Sequence, residues 1–372
     1  MLNSVHRRQA QTPEIIRGGV KMFQDNHPTS LGRRQAIRLL GLGAGFSLAT
    51  KTREEQPIEA AAQQSNADQR VNASKGVIRT ILADVPSDRL GTGAALMHEH
   101  LTAGTVNVLV DEIRASGQEG ISCLVDASIG KRGADALENL RTIASRSGVH
   151  IVVAGGYYKA PYPATVAQKT EAEIVDELAR DAMVERWGAL GEIGTSLDMH
   201  PDERKMLQAV SKVHLRTGLP IFTHTDHQGC RQCALDQLDV FESQGVNPQG
   251  LCIGHMSDIL DDPRADAHKT VAKRGVFVGI DTVGHQMLQG PKATDAMKVG
   301  MVLALLDAGY DDYILLSSDF AHQQCLKSTW GAGYSTVLTV FVPKLRYAGV
   351  KEATIRKIIF DNPRRFLAFV PK

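Results

Sequence analysis

The sequence predicts an α/β protein of the (β/α)8 TIM-barrel class, a single catalytic domain preceded by an export signal. Two patterns carry that expectation. Eight short, nearly continuous apolar runs recur between residues 94 and 319, and they alternate with longer segments whose apolar positions fall three and four residues apart. The first pattern belongs to parallel strands buried on both faces, the second to amphipathic helices that cover them. The competing arrangement, an open doubly wound sheet, carries a glycine-rich dinucleotide fingerprint after its first strand, and this chain has none.

In chain order the strand runs are "AALMH" (94–98), "ISCLVDA" (121–127), "HIVVAGGYY" (150–158), "GALGEIG" (188–194), "LPIFTHT" (219–225), "LCIGHMS" (251–257), "GVFVGIDT" (275–282) and "YILLSSD" (313–319). Segments such as "ADALENLRTIASRSG" and "TEAEIVDELARDAMVERWG" lie between them. Gly148, Gly218 and Gly309 stand just before the next strand, where a left-handed helix cap is required. Eight such units across residues 77–372 suit a barrel whose usual length is about 250 residues plus insertions.

Residues 1–62 read as a targeting segment and linker. "SLGRRQAIRLLGLGAGFSLA" places Arg33–Arg34 before a weakly apolar, glycine-containing stretch, the form of a bacterial twin-arginine signal. The apolar stretch is short and broken by Arg38, so stable membrane insertion is not expected. Met22 offers an alternative start. The polar "TREEQPIEAAAQQSNADQR" follows as a linker, with small residues for cleavage ending at Ala62, and residues 63–76 form a disordered lead-in. The expected destination is the periplasm or the exterior; the alternative is a basic amphipathic helix that stays in the cytoplasm.

With 42 basic against 41 acidic residues, no broad field draws the chain to nucleic acid. Five scattered cysteines make no disulfide scaffold. Cys230 and Cys233 form a single C-x-x-C, the spacing of a redox pair or of half a zinc site; without a second C-x-x-C, they read as two ordinary helix-turn cysteines.

Barrel enzymes draw catalytic groups from the C-terminal ends of their strands. Here the first strand ends in His98 and His100, which share one side because side chains alternate with period two. The fourth ends in Glu192, the fifth in His224, the sixth in His255 and the eighth in Asp319. Singly, each histidine reads as an ordinary core or loop residue. Together they make a donor set for zinc or a similar divalent ion. Six protein ligands exceed what one catalytic zinc takes, and suit two ions about 3.5–4 Å apart sharing a carboxylate.

That order of ligands resembles the amidohydrolase superfamily, and "MHEHL", "GGYY", "GEIGTS", "THT", "IGH" and "SSDF" resemble the phosphotriesterase family over essentially all of residues 77–372. The resemblance implies paired metals and hydrolysis. It places His98, His100 and Asp319 on the more buried ion, and His224 and His255 on the more exposed one. Where many members carry a carboxylated lysine as the bridge, this chain has Glu192, as in the phosphotriesterase homology branch, and no lysine lies between Lys169 and Lys205 to replace it. The implied cofactors are two divalent ions, zinc foremost, with manganese or cobalt as alternatives. A water activated by both would attack an ester carbonyl or a phosphoryl centre, with Asp319 accepting the proton.

Tyr158 and His285 are the foremost candidates for substrate contact, and Tyr157, His227, His322 and Trp330 lie around the same mouth. Thr282 stands where family lactonases often carry an arginine, and residues 320–333 are short and polar. The expected partner is therefore a small or polar ester, lactone or phosphoester, and the resemblance suggests a homodimer. Two other readings remain: a deaminase or cyclic amidase, and a metal-binding domain without turnover.

Overall fold

The computed structural model describes residues 76–226, 230–285 and 293–372. The export signal, the linker, all but the last residue of the lead-in, and His227 lie outside the described residues.

All eight apolar runs form strands: β1 (Ala94–Glu99), β2 (Ile121–Asp126), β3 (His150–Gly155), β4 (Trp187–Gly194), β5 (Ile221–His224), β6 (Leu251–Ile253), β7 (Phe277–Ile280) and β8 (Ile314–Leu316). They pair in parallel and in chain order, forming the barrel. Side-chain alternation divides the core in two. From β1, Ala95 and Met97 join Val125, Ala154 and Phe222 in one cluster, while Ala94 and Leu96 join the cluster that holds the helices' apolar faces. The principal helices are α1 (Val106–Gln118), α2 (Ala134–Ser147), α3 (Glu171–Val184), α4 (Pro201–Thr217), α5 (Arg231–Ser243), α6 (Asp266–Lys273) and α7 (Asp295–Asp307). Local sequence sets several of their ends. Thr170 and Glu173 form a capping box on α3, and Gly148 and Gly218 close α2 and α4 at φ 76° and 80°.

Several strands end earlier than their apolar runs, because the polar residues at the tips leave the ladder. His255 and Asp319 take left-handed φ values of 53° and 47°. These tips also close the barrel between β8 and β1. The His98 N–H donates to Ser317 Oγ (2.8 Å), the Asp319 N–H to the His98 carbonyl (2.9 Å) and the His100 N–H to the Phe320 carbonyl (3.0 Å).

Two features depart from the sequence expectation. Residues 77–86 are not part of the barrel proper but form a hairpin of Val77–Arg79 and Asp84–Pro86. Its Ile78 packs in one cluster with Leu90, Phe366 and Leu367. Strands of three residues are too short to show a period. Second, Cys230 and Cys233, read as ordinary helix-turn cysteines, form a disulfide with Cα atoms 5.2 Å apart. A helical first turn brings residues i and i+3 to one face, which makes the bond reachable. Among the described residues, no helix is long and apolar enough to cross a membrane.

Candidate metal centre

The six residues singled out at the strand ends meet at the C-terminal mouth of the barrel, and Glu192 is their hub. Its Oε2 lies 2.8 Å from His224 Nδ1, 3.1 Å from His98 Nε2 and 3.6 Å from His255 Nε2. Its Oε1 lies 3.5 Å from His100 Nε2. One carboxylate thus reaches all four imidazoles, even with the short stem of a glutamate. Asp319 approaches from the opposite seam, with Oδ1 3.0 Å from His100 Nε2 and 3.7 Å from His98 Nε2. The donor atoms of His98, His100 and Asp319 lie within 4.8 Å of one another, as do those of Glu192, His224 and His255.

Asp281, just past β7, was not a site candidate in the sequence. Its Oδ2 lies 3.2 Å from His98 Nδ1 and its Oδ1 3.2 Å from His255 Nδ1. Both rings donate Nδ1–H to this carboxylate, so each keeps an Nε2 lone pair for the centre. The His255 N–H also donates to both Asp281 oxygens, at 2.9 and 3.0 Å, holding that residue's left-handed backbone. The available signal was the "GID" at the end of the seventh run; the aspartate lay at a strand end like the others.

Glu99, between the two first-strand histidines, points to the other face of β1. It is fully buried and accepts from Ser317 Oγ (3.1 Å), Ser318 N–H (2.8 Å) and Phe320 N–H (3.1 Å). Phe222 supports His98 from the side, its ring edge-on with centroids 5.3 Å apart.

The electrostatics show what this cluster accommodates. Burial pulls the His98 imidazole down, but Glu192 and Asp281 outweigh it and hold its pKa at about 10. Burial also opposes charge on His255, yet Asp281 and Glu192 hold it well above the ordinary histidine range. Burial pushes the Glu192 and Asp319 carboxyls up, and the surrounding histidines bring both below their ordinary values. The carboxylates therefore favour positive charge at the centre. A divalent cation satisfies the same demand and leaves the imidazoles neutral, as ligation requires. His98 Nε2 is buried and faces the Glu192 and Asp319 carboxylates at 3.1 and 3.7 Å. The donor set therefore fits a metal.

The substrate candidates are sorted by the geometry. The Tyr158 hydroxyl lies 2.7 Å from His224 Nε2, directly at the centre. His285 does not reach it with a polar atom. Its Nε2–H donates to the Ser318 carbonyl (2.7 Å) and lies 3.2 Å from that of Asp319, while its Nδ1 is buried without a partner. The ring lines a cavity of about 330 Å³ with Phe320, Cys325 and Trp330. The Tyr157 hydroxyl is engaged with Glu177 at 2.6 Å. His322 is exposed and Trp330 is 98% exposed, so neither is drawn into the centre. Thr282 is buried against Ser257 and Asp258.

Comparisons with known proteins agree with this architecture. The phosphotriesterase homology protein of Escherichia coli K12 is 29% identical over 296 residues, covering 74% of this chain and 98% of its own. An N-acetyltaurine hydrolase of Dictyostelium discoideum is 25% identical over 285 residues, covering 73% and 75%. A resiniferatoxin-binding protein from Rhodobacter sphaeroides superposes with a TM-score of 0.70 at 27% identity, covering 80% of this chain and 96% of the other. The family profile itself matches residues 77–367. The chain belongs to the phosphotriesterase family of hydrolases.

Proposed function

We propose that this chain is a metal-dependent hydrolase of small carboxylic esters, lactones or phosphoesters. In this reading His98, His100 and Asp319 would hold one divalent ion and His224 and His255 a second, with the Glu192 carboxylate within reach of both sets. The observation that carries it is the reach of the Glu192 carboxylate to all four imidazoles. Such ions, zinc foremost and manganese or cobalt as alternatives, would supply Lewis acidity toward the substrate oxygen and a nucleophilic water near neutral pH.

The chain's own residues do the rest. Asp319, at the seam between β8 and β1, accepts the proton released during attack and returns it to the leaving group. Asp281 orients His98 and His255. The Tyr158 hydroxyl donates to the substrate's polarised oxygen from its place beside His224.

A second reading is amide cleavage, favoured by the N-acetyltaurine hydrolase similarity. The same site would serve, but Asp319 would have to protonate an amine as it leaves. A panel with the zinc- or manganese-reconstituted chain separates the two: aryl esters, γ- and δ-lactones, phosphotriesters, phosphodiesters and N-acyl amines, with Asp319→Asn as control. Turnover of an ester, lactone or phosphoester that disappears in the control supports the first reading, and turnover of N-acyl amines alone supports the second. Metal binding without any turnover would favour a binding domain.

The reading includes export by the twin-arginine route and a homodimer. Loss of export on replacing Arg33 and Arg34 by lysine tests the first, and sedimentation tests the second.

A further inference from the structure

Cys230 and Cys233 take no part in the proposed hydrolysis, yet their setting is that of a reactive pair. Cys230 is the N-cap of α5, and the Cys233 N–H donates to Cys230 Sγ at 3.0 Å. Once the bond is open, that N–H and the positive end of the helix stabilise a thiolate on Cys230. Cys230 is partly exposed, whereas Cys233 is 3% exposed. Cys233 Sγ lies 3.0 Å from the Leu197 carbonyl, an acceptor in place for an S–H. By contrast, burial pushes the Cys123 thiol up to about 12 and the Cys252 thiol up as well, which leaves both inert. A crosslink across three residues also constrains the unfolded chain far less than one closing a long loop. The pair's chemistry therefore explains it better than stapling does.

The pair is also connected to the centre. Gln237 stands one turn beyond Cys233 on the same buried face of α5. Its Nε2 donates to the His224 carbonyl (2.9 Å) and to Thr195 Oγ1 (2.8 Å), while its Oε1 has no partner. The grip of α5 on β5 and on the end of β4 thus depends on the order of its first two turns.

We infer that Cys230–Cys233 is a reversible dithiol–disulfide site, reduced by a dithiol protein or small thiols, that sets how firmly α5 holds His224. Its effect on metal retention rests on the metal-centre reading proposed above. A reductant thiolate bonds to Cys230 Sγ, the disulfide breaks, and Cys233 leaves as a thiolate that takes a proton and donates S–H to the Leu197 carbonyl. A second reductant thiol then displaces Cys230, which leaves as the thiolate capped by the Cys233 N–H. Two electrons and one proton pass to the pair, the reductant's other proton goes to solvent, and the reductant leaves as its own disulfide. Without the crosslink the first turn of α5 is held by the Cys230 cap alone, so it opens more often, and the Gln237 contacts loosen with it.

The test uses the full chain in dithiothreitol redox buffers, with thiols trapped by iodoacetamide and mapped by mass, and with amide exchange measured in both states. Cys230 and Cys233 are expected to be labelled together while Cys123 and Cys252 stay protected. Amides 231–237 are expected to exchange at least tenfold faster in the dithiol form. A pair that stays oxidised in the native protein, or reduction that leaves exchange unchanged, would overturn the inference. In thiol-free buffer, C230A/C233A, which removes both the crosslink and the cap, is expected to lose zinc to a chelator at least threefold more readily than wild type. Equal retention would overturn the link to the centre. If wild type and variant alike bind no zinc, the metal-centre reading fails, and the labelling and exchange results still decide the redox site.

Discussion

The Glu99 carboxylate brackets Asp319, taking the Ser318 N–H on Oε1 at 2.8 Å and the Phe320 N–H on Oε2 at 3.1 Å. Asp319 lies between them in the left-handed region at φ 47°, a conformation that costs a non-glycine residue about 1–2 kcal/mol. The bracket holds the carboxylate toward His100. Glu99→Ala leaves three buried donors without an acceptor and is expected to destabilise the protein by roughly 1–3 kcal/mol for each. Glu99→Gln keeps one acceptor and should recover part of the loss. Thermal melts of the two variants check the order.

Asp319→Asn preserves shape and one oxygen but cannot accept a proton. It is expected to keep most of the bound metal and lose kcat by roughly 10²–10⁴-fold. Paired measurements of metal content and turnover test this, and full activity would remove Asp319 from the proton path.

Asp281→Asn changes what the His98 and His255 Nδ1 atoms meet, from a carboxylate to an amide. Loss of an orienting carboxylate behind ligand histidines weakens metal binding by about 10–100-fold. Chelator competition at fixed pH should show that loss, and unchanged affinity would make Asp281 merely structural.

Removing the metal should also lower stability, because an ion bound only by the folded chain stabilises it by mass action. At a free concentration 100 times its dissociation constant, the gain is about 2.7 kcal/mol. Melts with and without a chelator, followed by zinc add-back, measure it. Identical curves would argue against the site.

Gly191 tests the support behind His98. A Cβ there would lie 2.4 Å from Phe222 Cε1, the ring that meets His98 edge-on. Gly191→Ala is expected to cost roughly 1–3 kcal/mol by overpacking and to reduce metal binding along with stability. Reduced stability with full metal binding would mean that the ring yields without moving His98.

The sequence by itself determined the barrel and the residues at its mouth. Continuous apolar runs such as "HIVVAGG", and helices closed by Gly148 or Gly218, depend on neighbours a few positions away and can be read along the chain. His98, His100, Glu192, His224, His255 and Asp319 could be selected because a parallel barrel brings all strand ends to one rim. Only the tertiary structure decided what holds them there. Glu99 meets Ser318 across 219 positions, and Asp281 meets His98 across 183. Nothing in the local period marks Glu99 apart from any other buried acid, and the strand-end position of Asp281 does not reveal which histidines it meets. The disulfide was equally hidden, since C-x-x-C spacing is shared by metal, redox and inert pairs. Likewise His285 had the right strand end, but folding turned its Nε2 toward the Ser318 carbonyl. Periodicity reports which face a residue occupies; which partner satisfies a buried polar group is set by the packing of distant segments.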